Sequence, residues 1–146
     1  MRRWQEIEAN EVRYKEYYMD DARFVVTGFG SAGRVALSAV RAARAEGIPV
    51  GLIRPVTVNP FPNKVFEEIA DRVDGILVVE MNSGQMLDDV LRATRFKTPV
   101  EFFARLGGVF VLPDEVLNEI HRLVKEPLTN TGHPRDRWLS RVTIGN

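Results

Sequence analysis

Apolar positions change rhythm along the chain, from continuous short runs to helical spacing and back. Phe24-Val25-Val26-Thr27 is a compact β-branched run and predicts a strand. Val35, Ala39, Val40 and Ala43 then fall on one face of a helix over 32–46, which Gly47 ends as a left-handed cap. The same alternation continues with a strand over 50–53 and a helix over 63–73 that turns Val65, Phe66, Ile69 and Val73 inward. A third strand over 76–79 is apolar throughout, as expected where both faces are covered. Met86, Leu87, Val90 and Leu91 align on a helix over 85–94, and a fourth strand runs over 100–104. A last helix over 113–124 carries Pro113 in its first turn and Val116, Leu117, Ile120, Leu123 and Val124 on its core stripe. Strands separated by single helices imply right-handed crossovers, hence a doubly wound α/β domain: a mainly parallel sheet of about 4–5 strands with helices on both faces.

The two ends of the chain read differently. Trp4, Ile7, Tyr14, Tyr17 and Tyr18 stand among charges, and Arg2 and Glu6 are four apart, which predicts an amphipathic helix to about residue 18. Residues 1–20 therefore read as a helix or linker arriving from an upstream domain, and 21–125 as the α/β domain. Residues 126–146 hold Pro127, Gly132, Pro134 and Gly145 without periodicity and read as an irregular tail. Trp138, amid Arg135, Asp136, Arg137 and Arg141, is expected to pack on this domain or on a partner.

Charge and composition narrow the function classes. Twenty basic residues balance twenty acidic ones, so no net field draws nucleic acid or an anionic membrane. No apolar run approaches the roughly 20 residues a bilayer span needs. Met1-Arg2-Arg3-Trp4 leads into charges rather than a secretory apolar stretch, leaving the cytoplasm as the default compartment. The chain has no cysteine, which excludes disulfides, a thiolate nucleophile and a self-ligated iron–sulfur cluster.

Gly28, Gly30 and Gly33 follow the first strand and open the first helix, the spacing of a dinucleotide fingerprint. The acidic residue that should meet the ribose at the end of the second strand is replaced by Arg54-Pro55. Arginine suits a 2′-phosphate, so an NADP-binding oxidoreductase fragment is one alternative, and a regulatory binding module is another. The same glycines have a purely structural reading. Gly28 and Gly30 turn the strand, Ser31 caps the helix, and Gly33 brings helix and sheet close. Glu80 ends the third strand on the side where α/β sheets hold ligands, and it equally suits a hydrogen bond to the next helix start. Asn82 or Ser83 is a candidate cap for that helix, Gly84 allows close backbone approach, and Gln85 offers a polar contact. Phe61, in the rigid Asn59-Pro60-Phe61-Pro62 turn, is expected to fill a space between sheet and helix. His121 and His133 have no neighbours at metal-ligand spacing, and no nucleophile–histidine–acid set can be assembled.

The stretch VVTGFGSAGRVALSAVRAARAEGIPVGLIRPVTVNPFP, followed by GILVVEMNSGQMLDDV, resembles the carboxyl-terminal domain of the alpha-type subunit of 2-oxoacid:ferredoxin oxidoreductases. The 2-oxoglutarate and 2-oxoisovalerate branches are most similar, and a fainter likeness extends to the last domain of transketolase-like enzymes. The Glu80-Met81-Asn82-Xaa-Gly84-Gln85-Met86 string and Pro60-Phe61-Pro62 carry most of it. The resemblance implies a transketolase C-terminal-like fold and a part in oxidative decarboxylation of a 2-oxoacid to acyl-CoA, with electrons passing to ferredoxin. It places thiamine diphosphate, magnesium and the iron–sulfur cluster on partner domains or subunits. The implied partners are a thiamine-binding beta subunit, the rest of the alpha subunit and, indirectly, ferredoxin. No catalytic or metal-binding residue is expected in this chain, which would be inactive alone. Gly30, Ser31, Glu80, Asn82, Gly84 and Gln85 are the candidate interdomain or cofactor-proximal contacts.

Overall fold

In a computed structural model the sheet has five strands in the order β1-β3-β2-β4-β5. The structure describes residues 13–57, 59–81, 85–105, 110–126, 128 and 131–144. The elements are β1 (Tyr14–Tyr17), β2 (Phe24–Gly28), α1 (Ser31–Ala45), β3 (Val50–Pro55), α2 (Asn63–Ile69), β4 (Gly75–Glu80), α3 (Gln85–Thr94), β5 (Val100–Ala104), α4 (Pro113–Lys125) and α5 (Pro134–Ile144). β2, β3, β4 and β5 run parallel, and β1 is antiparallel to β3. The doubly wound α/β reading therefore holds.

Strand direction fixes the layers. The chain steps from β2 outward to β3, then back across β2 to β4 and on to β5. With right-handed crossovers, α1 covers one face while α2 and α3 cover the other. Packing agrees, because α1 lies against α4 and α2 against α3. β4 is buried along its whole length, as its unbroken apolar run requires, and Ile76, Leu77, Val78 and Val79 form the centre of the core. Phe61 is buried and stacks on Phe66 with ring centres 5.2 Å apart, so it fills the space expected of it. Gly47, at φ +84°, supplies the left-handed stop after α1.

Both chain ends depart from the sequence expectation. Residues 1–12 lie outside the described residues, but Tyr14–Tyr17, expected in a helix, form the edge strand β1 paired with Leu52–Pro55. A lone helical turn has no core to rest on here, whereas pairing with β3 gives the backbone its hydrogen bonds. In the stretch expected to be irregular, Pro134–Ile144 form α5. Its weak amphipathicity conceals a tertiary anchor: Trp138 is buried and meets Phe102 of β5 edge-to-face at 5.3 Å.

Candidate functional site at the sheet switch point

β2 and β4 are neighbours from which the chain departs in opposite directions, so their carboxyl ends flank the crevice where open α/β sheets hold ligands. A concavity of about 470 Å³ opens there, lined by Phe29, Gly30, Ser31, Glu80, Met81 and Gln85, with Asp89 on the α3 side.

The β2–α1 turn is built from glycine. Gly30 is the residue before the helix at φ 60° and ψ −129°, backbone that a side chain would strain. A Cβ on Gly33 would stand 2.6 Å from the Gly28 carbonyl oxygen and 2.9 Å from Cγ of Arg54. On Gly28 it would meet the backbone of Ala32 and Gly33 at 3.0 Å. All three glycines are therefore accounted for by the turn and by close packing of α1 on the sheet, with Arg54 lying along that contact. Ser31 is the first helical residue and exposed, and the cap expected of it does not form: no side chain caps α1 among the described residues. The backbone of Gly30, not a side chain, leads into the helix, its carbonyl accepting from the Arg34 amide at 3.2 Å.

The β4–α3 turn uses a carboxylate. Glu80 is 4 % exposed and accepts from the Met86 amide at 2.9 Å and the Leu87 amide at 3.3 Å. Burial pushes its carboxyl above the ordinary glutamate range, while those two amides and nearby Arg135 pull it down. Glu80 is thus the capping group of α3, placed five residues upstream of Gln85, where local sequence rules look to the adjacent residue. Asn82, Ser83 and Gly84 lie outside the described residues. Gln85, exposed on the first turn of α3, lines the concavity.

Sequence reasoning missed Phe29, Met81 and Asp89 as lining groups. Phe29 was legible as the one bulky residue between two glycines, and Asp89 as the position one turn beyond Gln85. Burial raises the Asp89 carboxyl, opposed chiefly by Arg92 at 3.3 Å. The histidines stand elsewhere: His121 bridges α4 to Glu46 at 2.6 Å, and His133 lies 3.5 Å from Asp88. Among the described residues no cluster of three or more His, Asp or Glu side chains is arranged to hold a metal ion.

Comparisons with known proteins agree with this fold. Residues 22–116 match the family model described as pyruvate:ferredoxin oxidoreductase core domain II. The chain is 47 % identical over 117 residues to ketoisovalerate oxidoreductase subunit VorB of Methanothermobacter thermautotrophicus, covering 80 % of this chain and 33 % of that protein. It is 40 % identical over 103 residues to 2-oxoglutarate synthase subunit KorA of Methanothermobacter marburgensis, covering 70 % and 28 %. It thus spans about a third of the length of these relatives. The fold is similar to 2-oxoglutarate:ferredoxin oxidoreductase from Magnetococcus marinus, with TM-score 0.69 at 19 % identity over 83 % of this chain and 21 % of that one. A split-gene transketolase also shares it, with TM-score 0.62 at 14 % identity over 77 % of this chain and 41 % of that one. The family match over residues 22–116, with the identity to VorB, places the chain in the pyruvate:ferredoxin oxidoreductase core domain II family.

Proposed function

We propose that the chain acts as a non-catalytic assembly domain of an alpha-type subunit in a 2-oxoacid:ferredoxin oxidoreductase. Such an enzyme oxidises a 2-oxoacid with coenzyme A to an acyl-CoA and carbon dioxide, and the two electrons released go to ferredoxin. The observation that carries the reading is Glu80. The buried acid at the switch point has both carboxylate oxygens accepting from amides of α3, which supports a capping role over a catalytic one.

The donor set here does not fit the family's cofactors. An iron–sulfur cluster needs thiolates, and the sequence has no cysteine. Among the described residues no group of three or more His, Asp or Glu side chains is arranged to hold a metal ion. In this reading thiamine diphosphate, magnesium and the cluster would be held by the thiamine-binding beta subunit and other partner regions, and no reaction step is assigned to this chain.

Docking is proposed at the carboxyl ends of the parallel strands. Tyr14, Phe29, Val56, Phe110 and Leu112 stand exposed on segments at this end, five of the nine large exposed hydrophobics among the described residues. Such a concentration marks an interaction surface better than scattered residues do. Gly30, Ser31, Glu80 and Gln85, with Asn82 and Gly84, would sit at the interdomain contact. Co-expression of the remaining alpha-subunit region and the thiamine-binding subunit, with and without this domain, tests the reading. Coenzyme A-dependent ferredoxin reduction should require the domain, and full activity without it would refute the assignment.

A further inference from the structure

The two edges of the sheet are treated differently. β1 ends the sheet as a short exposed strand bearing Lys15 and Glu16, charges of the kind that discourage strand addition. β5, at the other edge, reads Val-Glu-Phe-Phe-Ala and is buried at every position. The Pro99 carbonyl accepts from Ile76 of β4, so by alternation Glu101 and Phe103 present their backbone to β4 while Val100, Phe102 and Ala104 present theirs outward.

Two arginines of α5 meet that outward row. Nη2 of Arg137 donates to the Val100 carbonyl at 2.6 Å, and Nη2 of Arg141 donates to the Phe102 carbonyl at 3.3 Å. The spacing suits the task. Residues four apart on a helix are separated by about 6 Å, and residues two apart on a strand by about 6.6 Å. Trp138, between the two arginines, seals the Phe102 ring. The guanidinium groups are held by acids of the same region: Arg141 pairs with Glu119 of α4 at 3.0 Å, and Arg137 lies 3.6 Å from Glu101. α5 falls outside residues 22–116, the span the family model matches.

We infer that α5 is a surrogate sixth strand, whose Arg137 and Arg141 occupy the outward carbonyls of β5 and keep that edge from pairing with β5 of a second copy of this chain. The sequence of β5 suits a second copy. An antiparallel pair about a two-fold axis through Phe102 sets Val100 opposite Ala104 and Glu101 opposite Phe103, and every outward residue faces an outward one. No like charges stand opposite each other in that register.

The test uses the 146-residue chain, the chain ending at residue 130, and the Arg137→Ala/Arg141→Ala variant. Arg122 still pairs with both Glu101 and Glu119 when the two arginines are removed, so the variant retains partners for its acids and Trp138 on Phe102. Sedimentation velocity across rising concentration is combined with amide exchange. The full chain should show no association through β5. The shortened chain and the double variant should shift to a species of twice the mass, with the Val100 and Phe102 amides gaining protection as it forms. Arg135→Ala, which leaves both edge contacts in place, should behave as the full chain. Folded, monomeric variants whose Val100 and Phe102 amides exchange freely at every concentration would overturn the inference. So would association without protection of those amides.

Discussion

α1 and α3 start at the same end of the sheet, on either side of one crevice, and the chain starts them by opposite means. α1 begins on glycines, with no acid in its first turn and no side-chain cap. α3 begins against a buried glutamate six and seven residues away from the amides it receives. The first turn is shaped by what a side chain would strike; the second is held by one charged group desolvated for the purpose. A glycine motif that suits a nucleotide by spacing is here explained by packing, and an acid that suits catalysis by position is explained by capping.

Changes that confuse the two devices should separate them. Gly33→Ala should be the most damaging, costing about 3 kcal/mol, because its Cβ meets a backbone carbonyl that cannot move without shifting β2. Urea unfolding reads this directly. Glu80→Ala should follow at about 2 kcal/mol, since two buried amides lose their acceptor. Amide exchange should locate that loss in the first turn of α3 and leave α1 protected. Gly30→Ala should cost about 2 kcal/mol through its backbone alone, because φ 60° with ψ −129° lies outside the left-handed helical region, although nothing lies within 4 Å of the added Cβ. A Gly30 variant that is costlier than the Gly33 variant would reverse the account of the glycine turn.

The smallest effect concerns pH. The Glu80 carboxyl titrates higher in the folded chain than in the unfolded one, so protonation favours the folded state. That contribution is fully present below the unfolded carboxylate range and is lost as pH rises through the folded value. The stability of the wild type relative to Glu80→Gln should therefore decline over that window and level off above it. A difference that grows with pH would mean that the two amide hydrogen bonds outweigh burial. NADPH should produce no binding heat with the chain alone, since Gly28 and Gly33 are required by packing and Gly30 by its backbone conformation.

The parallel core was legible because each strand is a short apolar run and each covered helix repeats its apolar face. β4 and α3 show this most plainly, with α3 bounded at Gln85 and Thr94 as the spacing predicts. What escaped the sequence rests on distant partners. Tyr14–Tyr17 have aromatic and charged residues at spacings compatible with a helix, and only pairing with Leu52–Pro55 makes them a strand. α5 has a single buried aromatic and is held by arginines reaching strand carbonyls, a pattern with no local period. At the site, Ser31 follows the residue in capping position instead of occupying it, while the cap for α3 comes from Glu80 across the intervening turn. The Glu80 bond to the next helix start was legible from its place at the end of β4, whereas Asn82 and Ser83, the nearer cap candidates, lie outside the described residues.

The measurement closest to the central claim is single-turnover ferredoxin reduction by a reconstituted enzyme carrying Glu80→Gln, normalised to assembled complex. A structural Glu80 predicts weaker assembly with the turnover rate of each assembled complex unchanged within about twofold. A fall of about 100-fold in that rate, with assembly intact, is the size expected from loss of an acid–base group and would contradict the account.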